Sequence, residues 1–396
     1  MSQLGDRISE LALPLIAAGA LDASAVQVAA LTALAWAPNL LAVLLGAWVD
    51  GRPGKRRLMV LADVVRALAL ASLPVAALCD AVTLGQLYAV ALVTGAAGVL
   101  FNNAYAPFFA HLVPRASYLE ANSRLSTTRS AAQLAGPALG GVLVQVLTAP
   151  GAVLVDALSF LGSALLIGRI DVHEPEPSSA AGPSVLARAG HGLRFVAGHP
   201  YLRAALGCCT TVNFFTFLGY GLTVLFASRE LGLSAGGIGL AFGVGASGAL
   251  LGAVLAPALS RRIGVGRTIV LGAVLFPAPV ALLTVADGPP WARAGVLAAA
   301  EFLSGLGVML FDVNLNSVQA AVIPEALRSR VSGAFATVNY GVRPLGALAG
   351  GLLGSTAGLR AALLTAAAGG VLSVLWLLPS PIPRVRAVAD LDVPAC

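Results

Sequence analysis

Acidic side chains set in apolar sequence are the residues of this chain best placed to do chemistry. Glu301 stands ten residues beyond Trp291 in an apolar stretch. At a helical rise of about 1.5 Å per residue it lies about 15 Å in, near the middle of a bilayer-crossing segment. Glu301, Gly305, Val308, Asp312 and Asn316 share one face by helical spacing. Asn339 and Arg343 are i, i+4 on a later segment, and a Glu301–Arg343 pair follows if the two segments pack together. Asp6 and Glu10 are i, i+4 near the start of the chain, and Asp63 and Arg66, i, i+3, are expected to form a local pair. Asp156 reads as half of an ion pair that fixes helix packing. A carboxylate in a low-dielectric cavity is disfavoured in its charged form, so it can load and release a proton near neutral pH. Glu301 and Asp312 are the first choices as proton carriers and Asp6 the third, with Arg343 or Arg129 favouring the ionised form when brought close. Other chemistry lacks its residues. The four cysteines form no C-x-x-C pair, and the four histidines (His111, His173, His191 and His199) are expected in loops or the linker without metal-ligand spacing. No Gly-x-x-x-x-Gly-Lys phosphate loop is present, so neither a metal nor a nucleotide cofactor is implied.

These side chains need apolar elements to carry them, and the composition supplies little else. Of 396 residues, 58% are hydrophobic and only 11% charged, against about 25% charged in a soluble domain. The chain is read as an all-α membrane protein. Runs free of Asp, Glu, Lys and Arg occur at residues 23–49, 81–114, 130–155, 204–228, 231–260, 268–286 and 361–383. Five further apolar stretches begin near Leu4, Leu58, Gly151, Ala292 and Val331, which makes twelve transmembrane helices. No cleavable signal peptide is evident, and Met1 lies almost inside the first helix. Nearly all Arg and Lys fall in alternate loops, from the Arg52–Arg57 cluster to Arg384 and Arg386, whereas the opposite loops carry only Arg229, Arg293 and Arg360. The asymmetry places the basic loops and both termini in the cytoplasm of a prokaryotic inner membrane. The net charge of +6 is then a matter of lipid and topology rather than of nucleic acid.

An offset of 210 residues superimposes one half of the chain on the other. Arg52, Gly54 and Arg57 fall on Arg262, Gly264 and Arg267; Leu100 and Phe101 fall on Leu310 and Phe311. Gly136, Gly140 and Gly141 fall on Gly346, Gly350 and Gly351, and Arg129 and Gln133 fall on Asn339 and Arg343. Two six-helix halves are therefore expected at residues 1–169 and 202–383, with a cytoplasmic tail at 384–396. Between the halves, residues 170–201 are a polar linker with an amphipathic helix carrying Val185, Leu186, Leu193 and Phe195. Repeats of this kind suit alternating access around a midplane site, and two matching polar stripes look like opposite walls of a cavity.

The segment Gly46-Ala-Trp-Val-Asp50-Gly51-Arg52-Pro-Gly54-Lys55-Arg56-Arg57 resembles the loop signature between the second and third helices (motif A) of the major facilitator superfamily. Gly136-Pro137-x-x-Gly140-Gly141 is similar to the antiporter motif (motif C) of its drug-exporting branches. The text around Ala62-Asp63, Leu112-Val-Pro114-Arg115 and Glu120-Ala-Asn122-Ser-Arg124 resembles the third drug–proton antiporter group, which contains macrolide exporters and the enterobactin exporter. Two departures stand out. Gly51 separates Asp50 from Arg52, and the fourth helix lacks the embedded arginine that other drug-antiporter groups place there.

The resemblance implies that Asp50 pairs with basic groups or a helix N-terminus of the other half when the cytoplasmic side is closed. The Gly-Pro of the fifth helix permits close backbone approach and weakens its hydrogen-bond ladder, suiting a bend that seals the cavity. Phe101, Tyr105, Phe108, Phe214, Phe215, Phe217, Tyr220 and Tyr340 are candidate cavity aromatics, which with a few polar anchors suit a bulky lipophilic ligand. The expected activity is export of such a molecule in exchange for protons, by a monomer in the lipid bilayer. A siderophore or lysolipid carrier of the same fold is the alternative. A membrane enzyme lacks its residues, and a sensor lacks a soluble domain, since the longest loop has about thirty residues.

Overall fold

The structure is a computed structural model and describes residues 2–112, 117–170, 185–324 and 327–391. The side chains of Asp50, Arg129 and Gln133 lie outside the described residues, as do those of Arg188, Arg328 and the 171–184 stretch. Every element among the described residues is helical: α1 (Ser2–Gly19), α2 (Ala25–Trp36), α3 (Ala42–Asp50), α4 (Lys55–Leu78), α5 (Leu84–Leu112) and α6 (Tyr118–Gly168), then α7 (Val185–Gly198) and α8 (Pro200–Arg229). They continue as α9 (Ala235–Ile263), α10 (Val265–Leu275), α11 (Pro290–Val322), α12 (Arg328–Thr356) and α13 (Leu359–Leu372).

The local sequence explains the breaks. Ser24 begins α2 with a reciprocal cap, its hydroxyl accepting from Gln27 N and its own N–H donating to Gln27 Oε1. Pro38 lacks an N–H, and the 3₁₀ turn Ala37–Leu41 bridges α2 to α3 so that both form one rod. Helix α10 continues likewise into the 3₁₀ segment Ala278–Val285. Helix α6 is broken at Thr148, whose φ of 69° and ψ of 165° are not helical. Counted this way, and with the linker helix α7 set aside, the described residues form twelve rods. Among the described residues, eight helical segments, counting α10 with its 3₁₀ continuation as Val265–Val285, are long and apolar enough to cross a membrane. The linker helix buries Val196 and sets Gly192 on the backbone of Arg330, while Leu193 is exposed, so its buried face is not the one carrying Leu193. Helix α5 extends to Leu112, so His111 is helical rather than in a loop.

The repeat is visible in the backbone. Six of the eight left-handed φ values among the described residues form three pairs 210 residues apart: Asp22 (50°) with Gly232 (62°), Gly54 (78°) with Gly264 (94°), and Thr148 (69°) with Gly358 (89°). The second half meets each requirement with glycine. At these three positions the first half uses aspartate, glycine and, in the ε region, a β-branched threonine, a conformation open to little but glycine. Thr148→Gly is expected to raise the thermal midpoint. Relief of about 1–3 kcal/mol of backbone strain exceeds the roughly 0.4–1 kcal/mol that glycine adds through the unfolded chain. Thermal unfolding of the purified protein checks this.

The chain packs as two units. The first holds Met1–Val185 together with Ser234–Leu240, and the second holds Leu186–Leu233 with Ala241–Cys396. In the first, α6 packs on α1 and α4, and α5 packs on α4 and on the α2–α3 rod. In the second, α8 lies against α12 and α13, and α10 against α11. At one end of the second unit Val196, Leu202, Val331, Ile382 and Leu391 share a core. His199 precedes α8 there, its ring beside Phe195 and Tyr201 at 5.9 and 5.8 Å. Burial lowers the His199 pKa below its ordinary 6.5, and its Nδ1 has no hydrogen-bond partner among the described residues. The unfolded chain therefore binds this proton more readily than the folded one, and stability falls as pH drops through about 6.5. His199→Gln is expected to flatten that loss in thermal melts run across the same range.

Candidate functional site

In the first unit a polar cluster sits where α1, α4 and α6 meet. Gly5 makes the approach possible, since a Cβ there would lie 2.0 Å from Asp156 Oδ1 and 2.5 Å from Ser159 Oγ. Asp156 is fully buried and accepts hydrogen bonds from the Ser9 hydroxyl across the helix contact and from Ser159 at 3.3 Å. Arg66 donates to Asp6 at 2.6 Å and lies over the Phe160 ring, 4.1 Å from its centroid. The expected Asp63–Arg66 pair is therefore not formed: the long guanidinium stem carries the charge across to α1. Asp156 is held by hydroxyls rather than by the expected ion pair. Glu10 bonds Arg7 one turn away at 2.7 Å instead of acting with Asp6.

The three glycines of the Gly136–Gly141 stretch serve two different neighbours. Gly136 and Gly140 face α1, where added Cβ atoms would lie 2.5 Å from Arg7 Cβ and 3.2 Å from Ile8 Cα. Gly141 faces the first turns of α9, and its Cβ would lie 2.5 Å from Gly239 Cα and 2.9 Å from the Ala235 carbonyl. Gln145, one turn on, accepts from Gly236 N at 3.2 Å. Pro137 lies inside the α6 helix, which continues through it.

The basic loop is organised by its own backbone. Gly54 takes the left-handed conformation just before α4, and Lys55 Nζ caps carbonyls of α3 and the turn, donating to Val49 O and, at 2.5 Å, to Arg52 O. Arg52 stacks over Trp48 at 4.1 Å, Arg56 reaches the Ile170 carbonyl, and Arg57 is exposed. Gly46 lies close to Asn103 of α5, whose amide donates to Ala42 O at 3.1 Å.

In the second unit Arg343 does not meet Glu301. Its Nε donates to Asn213 Oδ1 on α8 at 3.0 Å, and its guanidinium lies 4.4 Å from the Tyr340 ring and 4.7 Å from that of Phe217. Beside it, Thr210 donates to Asn339 at 3.3 Å. Helix α12 packs on α8 and α13, and that is why the expected Glu301–Arg343 pair fails. Glu301 packs instead against Gly245 of α9, where a Cβ would come within 2.7 Å of the glutamate Cβ, and it forms no hydrogen bond or ion pair among the described residues. The face expected to run from Glu301 to Asn316 divides. Gly305 lies against the Gly245 carbonyl, whereas Asp312 and Asn316 are exposed, with Asp312 near Cys209 of α8.

The aromatics sort by their contacts. Phe101, Tyr105 and Phe109 form a stacked ladder along α5, with centroids 6.3 and 5.9 Å apart. Phe108 is core, packed with Val49, Met59 and Ala104, and Phe215 fills the space left by Gly369 and Gly370. Tyr340 and Tyr220 keep open surface. Sequence reasoning passed over Asn213 and Thr210, polar residues in the apolar Ala204–Ser228 run, and Ser9 and Ser159, both of which hold Asp156.

Comparison with known proteins agrees with this architecture. The Major Facilitator Superfamily matches residues 1–340 and 206–393. The chain is 29% identical to "Multidrug efflux pump Tap" of Mycolicibacterium fortuitum, over 93% of this chain and 88% of that protein. It is 26% identical to the protein of the same name from Mycobacterium tuberculosis, over 100% and 95%. Among solved structures, the nucleoside transporter NupG superimposes with a TM-score of 0.69 at 14% identity, over 98% of this chain and 99% of that one. That likeness is one of fold. With twelve helical rods among the described residues in two pseudo-symmetric halves, and the family match over the whole chain, the chain is a multi-pass membrane transporter, not an enzyme, and it belongs to the major facilitator superfamily.

Proposed function

We propose that this transporter exports lipophilic small molecules by alternating access in exchange for protons. The observation that carries the reading is a division of labour on α8, α11 and α12. A guanidinium clamped between the Phe217 and Tyr340 faces stands on α12, and one carboxylate, Asp312, lies near α8, while a second, Glu301, has no charge partner among the described residues. Aromatic side chains with a few polar anchors suit bulky apolar cargo, and an uncompensated carboxylate in a membrane is costly unless it takes up a proton. The names of the mycobacterial relatives support drug efflux. In this reading residues 1–169 and 202–383 are the moving halves of a monomer. Residues 170–201 and the 384–396 tail lie in the cytoplasm with both termini. Asp50 and the Arg52–Arg57 cluster lock the cytoplasmic side, Arg129 and Gln133 line the wall opposite Asn339 and Arg343, and Tyr105 contributes to the binding surface.

The test is accumulation of ethidium in inside-out vesicles, with and without an imposed proton gradient. Wild-type accumulation is expected to follow the gradient, and Glu301→Gln or Asp312→Asn to reduce it at least tenfold, the equivalent of about 1.4 kcal/mol. Accumulation that ignores the gradient would end the proton-exchange reading. If neither ethidium nor any other lipophilic dye is moved, a dedicated cargo replaces drug export.

A further inference from the structure

The same helix crossing is built twice in this chain, once polar and once apolar. In the second unit, α8 meets α13 through Gly219 and Ala366, a Cβ on the glycine lying 3.1 Å from the alanine Cβ. Their counterparts 210 residues earlier are Ser9 and Asp156, hydrogen-bonded across the α1–α6 contact. One step away the sizes are exchanged: Phe215 fills Gly369 and Gly370 in the second unit, whereas Gly5 faces Ser159 beside Phe160 in the first. The crossing therefore closes without a carboxylate, and packing alone does not account for Asp156.

Among the described side chains the charges around it do not balance. Asp6 and Glu10 from α1, Asp63 from α4 and Asp156 from α6 face the guanidinium groups of Arg7 and Arg66. Arg7 is engaged by Glu10 and Arg66 by Asp6. Asp63 and Asp156 remain, both at 0% exposure. Neither oxygen of Asp63 forms a hydrogen bond among the described residues, although the Ser163 hydroxyl and Arg66 stand nearby. Two uncompensated buried anions would cost far more than the fold can offset, and such groups neutralise instead. Exposure is graded along the cluster: the Asp6 side chain is 36% exposed and that of Arg66 13%, against 0% for both buried aspartates.

We propose that Asp63 and Asp156 form a proton-binding site in the amino-terminal unit, entered through Asp6 and Arg66. Each aspartate takes up one proton as an O–H bond on a carboxylate oxygen; on release that bond breaks, an O–H forms on Asp6 in its place, and Asp6 gives the proton to water. No other bond changes. Ser9 and Ser159 orient Asp156, and Arg66 is shared: a swing away from Asp6 toward Asp63 would stabilise the deprotonated form. The part this site plays in transport rests on the proton-exchange reading above, but its protonation does not.

The test reads the proton directly. Infrared spectra of the purified full-length protein in lipid nanodiscs at neutral pH show protonated carboxyl groups as a carbonyl band that shifts in heavy water. A Glu301→Gln/Asp312→Asn background removes the acidic groups of α11 from the signal. On it, Asp156→Asn and Asp63→Asn are each expected to remove about half of the remaining band, since each deletes one of two neutral carboxyls. Ser9→Gly/Asp156→Ala, which installs the Gly219–Ala366 arrangement, should fold and lose the same half. Absence of the band, or a band indifferent to all three variants, would overturn the proposal. So would a band abolished by exchanging potassium for sodium at constant pH, since that marks a metal-cation site. Gradient-independent ethidium uptake by wild-type vesicles would end proton-coupled export while leaving the infrared result to decide the site.

Discussion

Gly141→Val is expected to abolish transport while the protein still inserts in the membrane. A Cβ at Gly141 meets backbone on the facing segment, Gly239 Cα at 2.5 Å and the Ala235 carbonyl at 2.9 Å. Backbone cannot rotate away as a side chain can, so the contact between α6 and the first turns of α9 must open. Overpacking of this kind costs about 1–3 kcal/mol or more, and it falls where Gln145 also holds Gly236. The neighbouring glycines predict a graded series. Gly136→Ala presses on the Arg7 side chain and is intermediate. Gly140→Ala, 3.2 Å from Ile8 Cα, is mildest of the three. Gly162, where an added Cβ meets nothing within 4 Å, is the control: Gly162→Ala should be neutral or stabilising by about 0.5–1 kcal/mol. Ethidium accumulation in vesicles and thermal unfolding of the same purified variants check the order. Equal effects at Gly141 and Gly140 would show that the close backbone contact does not control function.

Arg343→Ala carries the second large effect. The guanidinium meets one ring face on its own helix, that of Tyr340, and one on α8, that of Phe217, and its Nε supplies the hydrogen bond to Asn213 Oδ1. A hydrogen bond to a charged group contributes about 1.5–3 kcal/mol, and cation–π contacts add about 0.5–2 kcal/mol each when desolvated. Removing all three while leaving the Asn213 oxygen unmatched is expected to cost about 3 kcal/mol, equivalent to a loss of about a hundredfold in the step that uses this arrangement. Arg343→Lys keeps the charge but not the planar fork, so it should recover less than about a tenth of the lost activity. Asn213→Asp, which offers the guanidinium a charged acceptor, should strengthen the contact and immobilise α8 against α12. Its expected signature is higher thermal stability with slower transport. A rescue by lysine equal to wild type would reduce Arg343 to a point charge.

Much of this was legible in the residues. The span count follows from the spacing of charged residues along an apolar chain, because a bilayer admits few charges and requires about twenty apolar residues per crossing. The duplication is carried by Gly, Pro, Arg and Phe at a fixed offset, and the left-handed turns at Asp22, Gly54 and Thr148 recur at the same offset. The motif glycines were identifiable, though not their division between α1 and α9.

The order of residues is enough to define the class of protein, the twelve helices, the twofold repeat and the set of polar residues inside the membrane. Which of those residues meet is a matter of packing. Periodicity places Asp63 and Arg66 on one helical face and makes them look like partners. Yet an arginine stem is long enough to cross to Asp6, and the choice depends on how closely Gly5 lets α1 approach α6. Likewise Glu301 and Arg343 are both near mid-membrane, but depth along two helices says nothing of their azimuth. Helix α12 turns Arg343 toward Asn213 and Phe217, and the glycines of α9 draw Glu301 away. Hydrophobic pattern records how deep a side chain sits; the neighbour it finds is set by which helices touch and by the small residues that let them touch.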